Sequence, residues 1–244
     1  MNQYLKVDEW KIVEDSFDPG NNRISESLFS IGNGRMGQRA NFEEDYSGDS
    51  LQGHYVAGVY YPDATKVGWW KIGYPEYFAK VLNAPSWIGI RIWLDDEKLD
   101  LKHWQVRSFT RNLHMREGYL ERIFRAESPS GKIIEVHARR FLSIVRTELG
   151  AIEYAVHLVA GSGTLKMEFY LDSDVENEDS NYKEKFWEPV SSACDKDRGM
   201  VIARTRKTDF HVATGMAVRL NKNGKLIESD PGRVRKEKYV SHIY

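Results

Sequence analysis

The chain has 244 residues, and 35 Lys and Arg against 36 Asp and Glu leave a formal net charge of -1. This balance excludes a global field that would attract nucleic acid or an anionic membrane, so neither is an expected partner. The single cysteine, Cys194, excludes an internal disulfide framework and favours a reducing, cytoplasmic compartment. Residues 1–18 are acidic and lack an apolar segment, so we expect no secretory signal.

Near the N-terminus, a glycine-rich motif has two possible interpretations. Gly32, Gly34 and Gly37 have the G-x-G-x-x-G spacing of a dinucleotide-binding loop. That interpretation requires an amphipathic helix after Gly37, whereas residues 38–45 are mostly polar and have no apolar stripe. The sequence therefore predicts a tight structural turn formed by Gly32, Asn33, Gly34 and Gly37, where φ > 0 is tolerated, and no nucleotide cofactor.

A long connection over residues 60–87 is rich in aromatic side chains. Flat aromatic faces beside Lys and Glu suit pyranose rings, whose C–H faces stack on apolar surface while their hydroxyls take polar partners. The same rings are also typical of a core or an interdomain contact. The candidate substrate-binding or interface residues are Trp69, Trp70, Tyr74 and Trp87.

Most of the remaining chain alternates apolar and polar residues with period two, the pattern of strands with one buried face. Turn residues, among them residues 221–224 (NKNG), separate these segments at hairpin distances, and no segment keeps a helical stripe with credible caps. We predict an all-β chain, with antiparallel sheets packed as a large β-sandwich in a single domain over residues 1–244. The candidate strands cover residues 88–94, 119–125, 133–141, 152–158, 165–171, 200–205 and 210–220.

Three further groups of residues fail as catalytic or metal sites. The acidic segment 172–179 leads to Asn177 and Lys183 where an EF-hand needs Gly and a bidentate Glu, so a solvated loop is the better interpretation. The 7 histidines lack zinc-ligand spacing. Glu43 and Glu44 are adjacent, and adjacent side chains of a strand face opposite ways, so they do not converge on one bond. We assign no catalytic residue and no metal ligand.

A series of short motifs runs along the chain, and residues 113–122 (LHMREGYLER) are the longest of them. The others are Trp10 and residues 26–29, 32–34, 37–39, 42–44, 55–60, 82–87 and 140–143. In this order and spacing they resemble the N-terminal β-sandwich domain of glycoside hydrolase family 65, the maltose- and kojibiose-phosphorylase-like enzymes. The long motif resembles that family's LDMREGxLxR strand entry, with His114 in place of the Asp.

The resemblance implies a supersandwich of the galactose-mutarotase-like type with few short helices. It also implies that this domain precedes an (α/α)6 catalytic barrel, which carries the catalytic Glu and the phosphate site, so the chain alone is expected to be inactive. The intact enzyme would cleave an α-linked glucose disaccharide with inversion, by phosphate in a phosphorylase or by water in a hydrolase. Phosphate would be a co-substrate, and no cofactor is implied. The implied partners are its own barrel domain and a second copy in a homodimer.

Two alternatives stay open: a free-standing carbohydrate-binding module, and an autonomous aldose-epimerase-like sandwich, for which no His acid and Glu base can be paired. Residues 61–80 are longer than the corresponding family segment, so we expect this loop to project toward the missing barrel or a partner subunit. Residues 239–244 have the pattern of a strand that begins at Tyr239. We therefore expect the native chain to continue past Tyr244.

Overall fold

Strands dominate the structure, as the period-two pattern predicts. The computed structural model describes residues 4–66, 68, 73–230, 232–235 and 238–244. Strands account for 52% of the chain, and the one helix within the described ranges accounts for 3%. The predicted all-β, antiparallel class is therefore confirmed. Within the same ranges, no helix has the length and apolar character needed to cross a membrane.

The elements are numbered in chain order, and strand boundaries are those of the hydrogen-bonded ladders. They are β1 (Leu5–Val7), β2 (Lys11–Glu14), α1 (Asn22–Leu28), β3 (Ile31–Gly32), β4 (Met36–Gln38), β5 (His54–Val56), β6 (Tyr60–Ala64), β7 (Tyr77–Val81), β8 (Ser86–Leu94), β9 (Glu97–Lys98), β10 (Gln105–His114), β11 (Tyr119–Glu127), β12 (Ile133–Leu142), β13 (Gly150–Ala160), β14 (Leu165–Asp172), β15 (Trp187–Cys194), β16 (Arg198–Thr205), β17 (His211–Ala217), β18 (Leu220–Lys222), β19 (Lys225–Ile227), β20 (Arg233–Arg235) and β21 (Tyr239–Ile243).

The chain divides into two compact units, and each is described by itself. The first unit contains residues 1–53 and 91–166, and the second contains residues 54–90 and 167–244. The chain thus leaves the first unit after Gly53 and returns to it at Arg91. The expectation of a single domain over residues 1–244 stays a prediction.

The first unit is built on a six-stranded antiparallel sheet in the order β1-β2-β10-β11-β12-β13. Alternate side chains of β11 and β12 form its inner face, where Phe124 lies opposite Val136 and both are 0% exposed. The intervening residues, such as Arg125 and His137, are exposed. Burying one such apolar side chain stabilises the folded state by about 1.5–3 kcal/mol. The alternation therefore stabilises the packing of the sheet on its inner face.

Helix α1 is short, and its packing explains why it forms. A seven-residue helix is marginal by propensity alone. The N–H of Asn21 donates to the Asp18 carbonyl at 3.0 Å before the helix, and the N–H of Phe29 donates to the Ser25 carbonyl at 3.0 Å at its end. Phe29 is 0% exposed and packs with Ala40 and Leu120. This buried ring anchors the helix to the first unit.

The second unit contains smaller sheets around two apolar clusters. Strands β20, β21, β14 and β8 follow one another in one sheet, β15-β16-β17 form another, and β6–β7 and β18–β19 are two-stranded ladders. In the first cluster, the Tyr61 and Phe186 rings stack with centroids 4.2 Å apart beside Trp187. Leu171, Val201 and Val240, each 0% exposed, form the second.

Three sequence expectations need correction in the second unit. The connection over residues 60–87 contains the antiparallel pair β6–β7, so it is not a structureless loop. Strand β6 escapes detection because its sequence, YYPDA, lacks apolar alternation. The candidate strands also leave residues 172–195 unassigned, and this connection contains β15. The strand predicted over residues 210–220 divides into β17 (His211–Ala217), which pairs with β16, and β18 (Leu220–Lys222), which pairs with β19.

Two local expectations in the second unit are confirmed. Asn223 and Gly224 have φ of 52° and 78° and form the turn between β18 and β19. This positive-φ pair is the signature of a tight hairpin turn. The strand expected to begin at Tyr239 is β21, which pairs with β14.

Candidate functional site

The glycine motif forms a turn between two short strands. Gly32 pairs with Gly37 across β3 and β4, and the N–H of Asn33 donates to the Met36 carbonyl at 3.1 Å. Gly34 has φ of 85°, a conformation that is strained for a residue with a Cβ. Residues 38–45 contain no helix, so the nucleotide-binding arrangement, which needs a helix N-terminus after the glycines, is not formed.

The Asn33 side chain fixes both its own turn and a second loop. Its Oδ1 accepts hydrogen bonds from the N–H groups of Arg35 and Met36 at 3.0 and 2.7 Å. Its Nδ2 donates to the carbonyls of Ser143 and Thr147 at 2.7 and 3.0 Å. One amide therefore satisfies four backbone groups and ties the turn to the loop at residues 143–149.

That loop presents an apolar tip. Ile144 and Val145 are 81% and 88% exposed. The loop is closed by hydrogen bonds from the Ser143 N–H to the Leu149 carbonyl, and from the Leu149 N–H to the Arg146 carbonyl, both at 2.9 Å. An ordered loop that exposes two β-branched apolar side chains is typical of a contact surface.

Glu43 and Glu44 converge on one guanidinium inside the first unit, contrary to the sequence expectation. Arg122 Nη2 donates to Glu43 Oε2 at 2.6 Å and to Glu44 Oε2 at 2.5 Å. Arg140 Nη1 lies 2.9 Å from Glu43 Oε1, and the Tyr154 hydroxyl donates to Glu44 Oε1. The two glutamates lie in a bend and not in a strand, so alternation does not separate them.

Burial and charge set opposite pKa shifts in this carboxylate pair. Burial raises the pKa of Glu43, but the charges of Arg140 and Arg122 outweigh it and hold that pKa below its ordinary value. Burial, with the neighbouring Glu43 charge, raises the pKa of Glu44 above its ordinary value, although Arg122 opposes this. The side chains of Glu43 and Glu44 are 3% and 1% exposed. They bind protein cations away from solvent, which is a structural role and not acid–base chemistry on a substrate.

A second buried ion pair holds helix α1. Arg111 Nε lies 3.3 Å from Glu14 Oε2, and Arg111 Nη2 donates to Asn22 Oδ1 at 2.8 Å. Ser25 Oγ donates to Glu14 Oε1 at 2.9 Å. Burial lowers the pKa of Arg111 to about 10, so the guanidinium stays charged at neutral pH. The polar face of α1 is thus matched to a buried charge, which explains why this face is not apolar.

The aromatic candidates have different environments. Tyr74 is 60% exposed. Trp87 lies on β8, is partly buried and packs against the cluster of Leu171, Val201 and Val240. Trp69 and Trp70 lie outside the described residues. The assignment of these four residues to substrate binding or to an interface stays a prediction.

The acidic segment is tied to the second unit by its polar side chains. Asp174 Oδ1 accepts hydrogen bonds from Lys185 Nζ at 3.0 Å and from Lys238 Nζ at 3.1 Å. Asn177 Oδ1 accepts from the Asn83 N–H at 2.9 Å. Among the described residues, no group of three or more His, Cys, Asp or Glu side chains could hold a metal ion.

Sequence reasoning missed the roles of Asn33 and of the glutamate doublet. The doublet did leave a signal, because Arg122 and Arg140 fall on the same strand faces as Leu120 and Ala138, which are buried. An Arg at such a position requires a buried carboxylate partner. Asn33 left no comparable signal, since its targets lie 110 and 114 residues away in sequence.

The fold defines the class of protein. A structure from the human microbiome that carries the name kojibiose phosphorylase superposes with a TM-score of 0.81 at 26% identity, covering 99% of this chain and 30% of that chain. The chain therefore has an all-β fold of the sandwich class that matches one part of a larger protein.

The chain belongs to glycosyl hydrolase family 65, because the profile of that family's N-terminal domain matches residues 12–244. Maltose phosphorylase of Bacillus subtilis is 45% identical over 213 residues, which cover 86% of this chain and 28% of that enzyme. The α,α-trehalose phosphorylase of Thermoanaerobacter brockii is 32% identical over 84% of this chain and 28% of its own length. Kojibiose phosphorylase of the same organism is 28% identical over 90% of this chain and 27% of its own length. The matches thus cover less than a third of each relative.

Proposed function

We propose that this chain is the non-catalytic N-terminal domain of an α-glucoside phosphorylase and supports an (α/α)6 catalytic barrel. The observation that carries the proposal is the match of residues 12–244 to the family's N-terminal domain. The length of the relatives adds support, because the matching part covers only 28% of the maltose phosphorylase of Bacillus subtilis. The second candidate is that the intact enzyme is a hydrolase with the same barrel, in which water replaces phosphate.

In the proposed intact enzyme, a Glu of the barrel protonates the glycosidic oxygen of an α-linked glucose disaccharide. A phosphate oxygen attacks the anomeric carbon from the opposite face, so the C–O bond to the leaving sugar breaks as the bond to phosphate forms. The products are the free sugar and glucose 1-phosphate of inverted configuration. Phosphate is a co-substrate, and the proposal includes no cofactor. Maltose is the first substrate to test, given the 45% identity to a maltose phosphorylase.

Two features of the first unit favour a non-catalytic role for this chain. Its buried carboxylates Glu43 and Glu44 are bound to Arg122, so they do not face a substrate. The exposed tip at Ile144 and Val145 is braced from within, as expected of a surface that contacts another domain. We further propose a cytoplasmic location and, for the intact enzyme, a homodimer, with neither nucleic acid nor membrane as a partner, in keeping with a net charge of -1.

The test is a phosphorolysis assay of the purified chain with maltose, kojibiose or trehalose and inorganic phosphate. We expect no glucose 1-phosphate above the blank, while the maltose phosphorylase of Bacillus subtilis, assayed beside it on maltose, gives a steady rate. Steady release of glucose 1-phosphate by the chain, at a rate proportional to its concentration, would overturn the non-catalytic assignment.

A further inference from the structure

The outer face of the six-stranded sheet carries a row of rings at one end. His114 lies opposite Tyr119 on β10 and β11, and Phe141 lies opposite Ala151 on β12 and β13. Because Leu120 lies opposite Arg140, the preceding and following positions, Tyr119 and Phe141, are also neighbours. We call this set the aromatic row: it consists of three rings, His114, Tyr119 and Phe141, and of Ala151 beside Phe141. Tyr119, Phe141 and Ala151 alternate with the buried positions of their strands, so they point away from the inner face. His114 lies on the same face opposite Tyr119 but is only 6% exposed.

Next to the aromatic row lies a second row that is charged. Glu121 lies opposite Arg139, and Arg139 lies opposite Glu153, on β11, β12 and β13. Arg139 Nε donates to Glu121 Oε1 at 2.9 Å, and Arg139 Nη1 lies 3.9 Å from Glu153 Oε2. The side chains of Arg139 and Glu153 are 57% and 79% exposed. Both can therefore exchange hydrogen bonds with a ligand while they remain solvated.

Parts of both rows line an open surface cavity of about 530 Å³. These are Tyr119, Phe141 and Ala151 of the aromatic row and Arg139 and Glu153 of the charged row. The His114 ring covers one side of Tyr119, with the centroids 4.1 Å apart and the planes at 18°. Phe141 is 46% exposed, and its neighbour Ala151 is too small to cover it. Small-molecule sites typically measure about 300–1,000 Å³, so the cavity has room for one or two sugar rings.

We propose that the aromatic row and the adjoining Arg139 and Glu153 form a surface site for α-linked glucose oligosaccharides. The apolar C–H face of a pyranose would stack on Phe141, because the Tyr119 ring already stacks on His114 and has the Arg139 guanidinium 5.9 Å from its centroid. The sugar hydroxyls would pair with the guanidinium and the Glu153 carboxylate. The site goes beyond the proposed function, because it binds sugar without cleaving it. Only the choice of an α-linked glucan rests on the proposed function.

The charges favour a sugar over a protein partner at this site. A protein interface would strip water from Arg139 and Glu153, and burying charges costs several kcal/mol each unless new partners replace the water. A sugar ring brings its own donors and acceptors and leaves both charges partly in water. The alternating signs along Glu121, Arg139 and Glu153 also match the mixed donors and acceptors of neighbouring hydroxyls.

The test is isothermal titration calorimetry of the 244-residue chain with maltoheptaose, with cellohexaose as the β-linked comparison. We expect saturable binding of maltoheptaose with a Kd of about 1 mM, and binding of cellohexaose at least tenfold weaker. Phe141→Ser should weaken the binding of maltoheptaose at least tenfold. Ala151→Leu, which fills the cavity without removing a ring, should do the same. Tyr182→Ala, a control at an aromatic side chain that is 54% exposed and lies outside both rows, should bind like the wild type.

Four results would overturn the proposal. They are no saturable binding up to about 10 mM maltoheptaose, equal or tighter binding of cellohexaose, unchanged binding by both row variants, and a change of oligomeric state in Phe141→Ser. The last would identify the row as an interface between copies of the chain. Sedimentation velocity measures that state, and circular dichroism checks that each variant keeps its sheets. Because the readout is binding by the chain alone, it is independent of the activity assay that tests the proposed function.

Discussion

At the scale of single residues, buried charge rather than catalytic chemistry explains the polar side chains of the first unit. Arg122 binds both Glu43 and Glu44. Burial lowers the pKa of Arg122, but the charges of Glu44 and Glu43 outweigh it and hold that pKa above its ordinary value. Breaking such a pair by removing one partner leaves an uncompensated buried charge. The doublet is therefore a point where a single substitution tests the account.

We expect Glu43→Gln to lower the free energy of unfolding by about 3 kcal/mol at pH 7, because Arg140 loses its carboxylate partner. The pKa of Glu43 is lowered from its ordinary value of 4.5. Its contribution is therefore present above pH 4.5 and lost as the pH falls through the folded-state pKa, so the difference between variant and wild type should shrink in acid. Urea unfolding at pH 7 and at about pH 3.5 measures both values.

The control for this experiment is Glu153→Gln, since that side chain is 79% exposed. It should change the free energy of unfolding by less than about 0.5 kcal/mol at either pH. A Glu43→Gln variant as stable as the control at pH 7 would show that the doublet is not held by its ion pairs.

Asn33 permits a second test, because its four hydrogen bonds link two segments far apart in sequence. We expect Asn33→Ala to cost about 1–3 kcal/mol of stability and to speed amide exchange at residues 143–149, which lose two donors from its Nδ2. Hydrogen exchange followed by mass spectrometry measures the effect. Arg35→Ala, in the same turn but exposed, should leave the exchange of that loop unchanged. Equal protection of the loop in Asn33→Ala and wild type would show that Asn33 does not hold it.

At the scale of elements, the aromatic connection over residues 60–87 contains one packed and one exposed candidate residue. Trp87 packs against Leu171, Val201 and Val240, whereas Tyr74 is 60% exposed. We expect Trp87→Ala to lower the free energy of unfolding by about 2–3 kcal/mol and Tyr74→Ala by less than about 0.5 kcal/mol. Chemical denaturation of the two variants measures both values. If Trp87→Ala leaves the stability unchanged, the ring is not anchored in this cluster and an interface role for it becomes the better interpretation.

The strands of the first unit could be predicted because their signal is local. In β11 and β12 every second residue is buried, so period-two alternation in the sequence suffices. The pair β6–β7 could not be predicted, because YYPDA contains a proline and its pairing with YFAKV has no sequence pattern. The ion pairs of Glu43 and Glu44 could not be predicted for a related reason. These residues lie in a bend, and their partner Arg122 is 79 and 78 residues away in sequence.

At the scale of the whole molecule, the division of the chain between the two units could not be predicted from the sequence. Residues 54–90 belong to the second unit although both flanking segments belong to the first. No composition shift marks these boundaries, because each side of them has the same mixture of strands and turns. The family could be recognised from the sequence, because its short motifs keep their order along the chain. The family profile, which matches residues 12–244, confirms this.

The central claim is the proposal that this chain serves as the supporting N-terminal domain of a larger phosphorylase. The most direct measurement uses the maltose phosphorylase of Bacillus subtilis, with the region that this chain matches, 28% of that enzyme, replaced by this chain. We expect the chimera to convert maltose and phosphate to glucose and glucose 1-phosphate within about tenfold of the native kcat, and the enzyme with that region deleted to be inactive. A chimera whose unfolding transition matches that of the native enzyme measured beside it, yet which is as inactive as the deletion variant, would contradict this claim. Full activity of the deletion variant would contradict it equally.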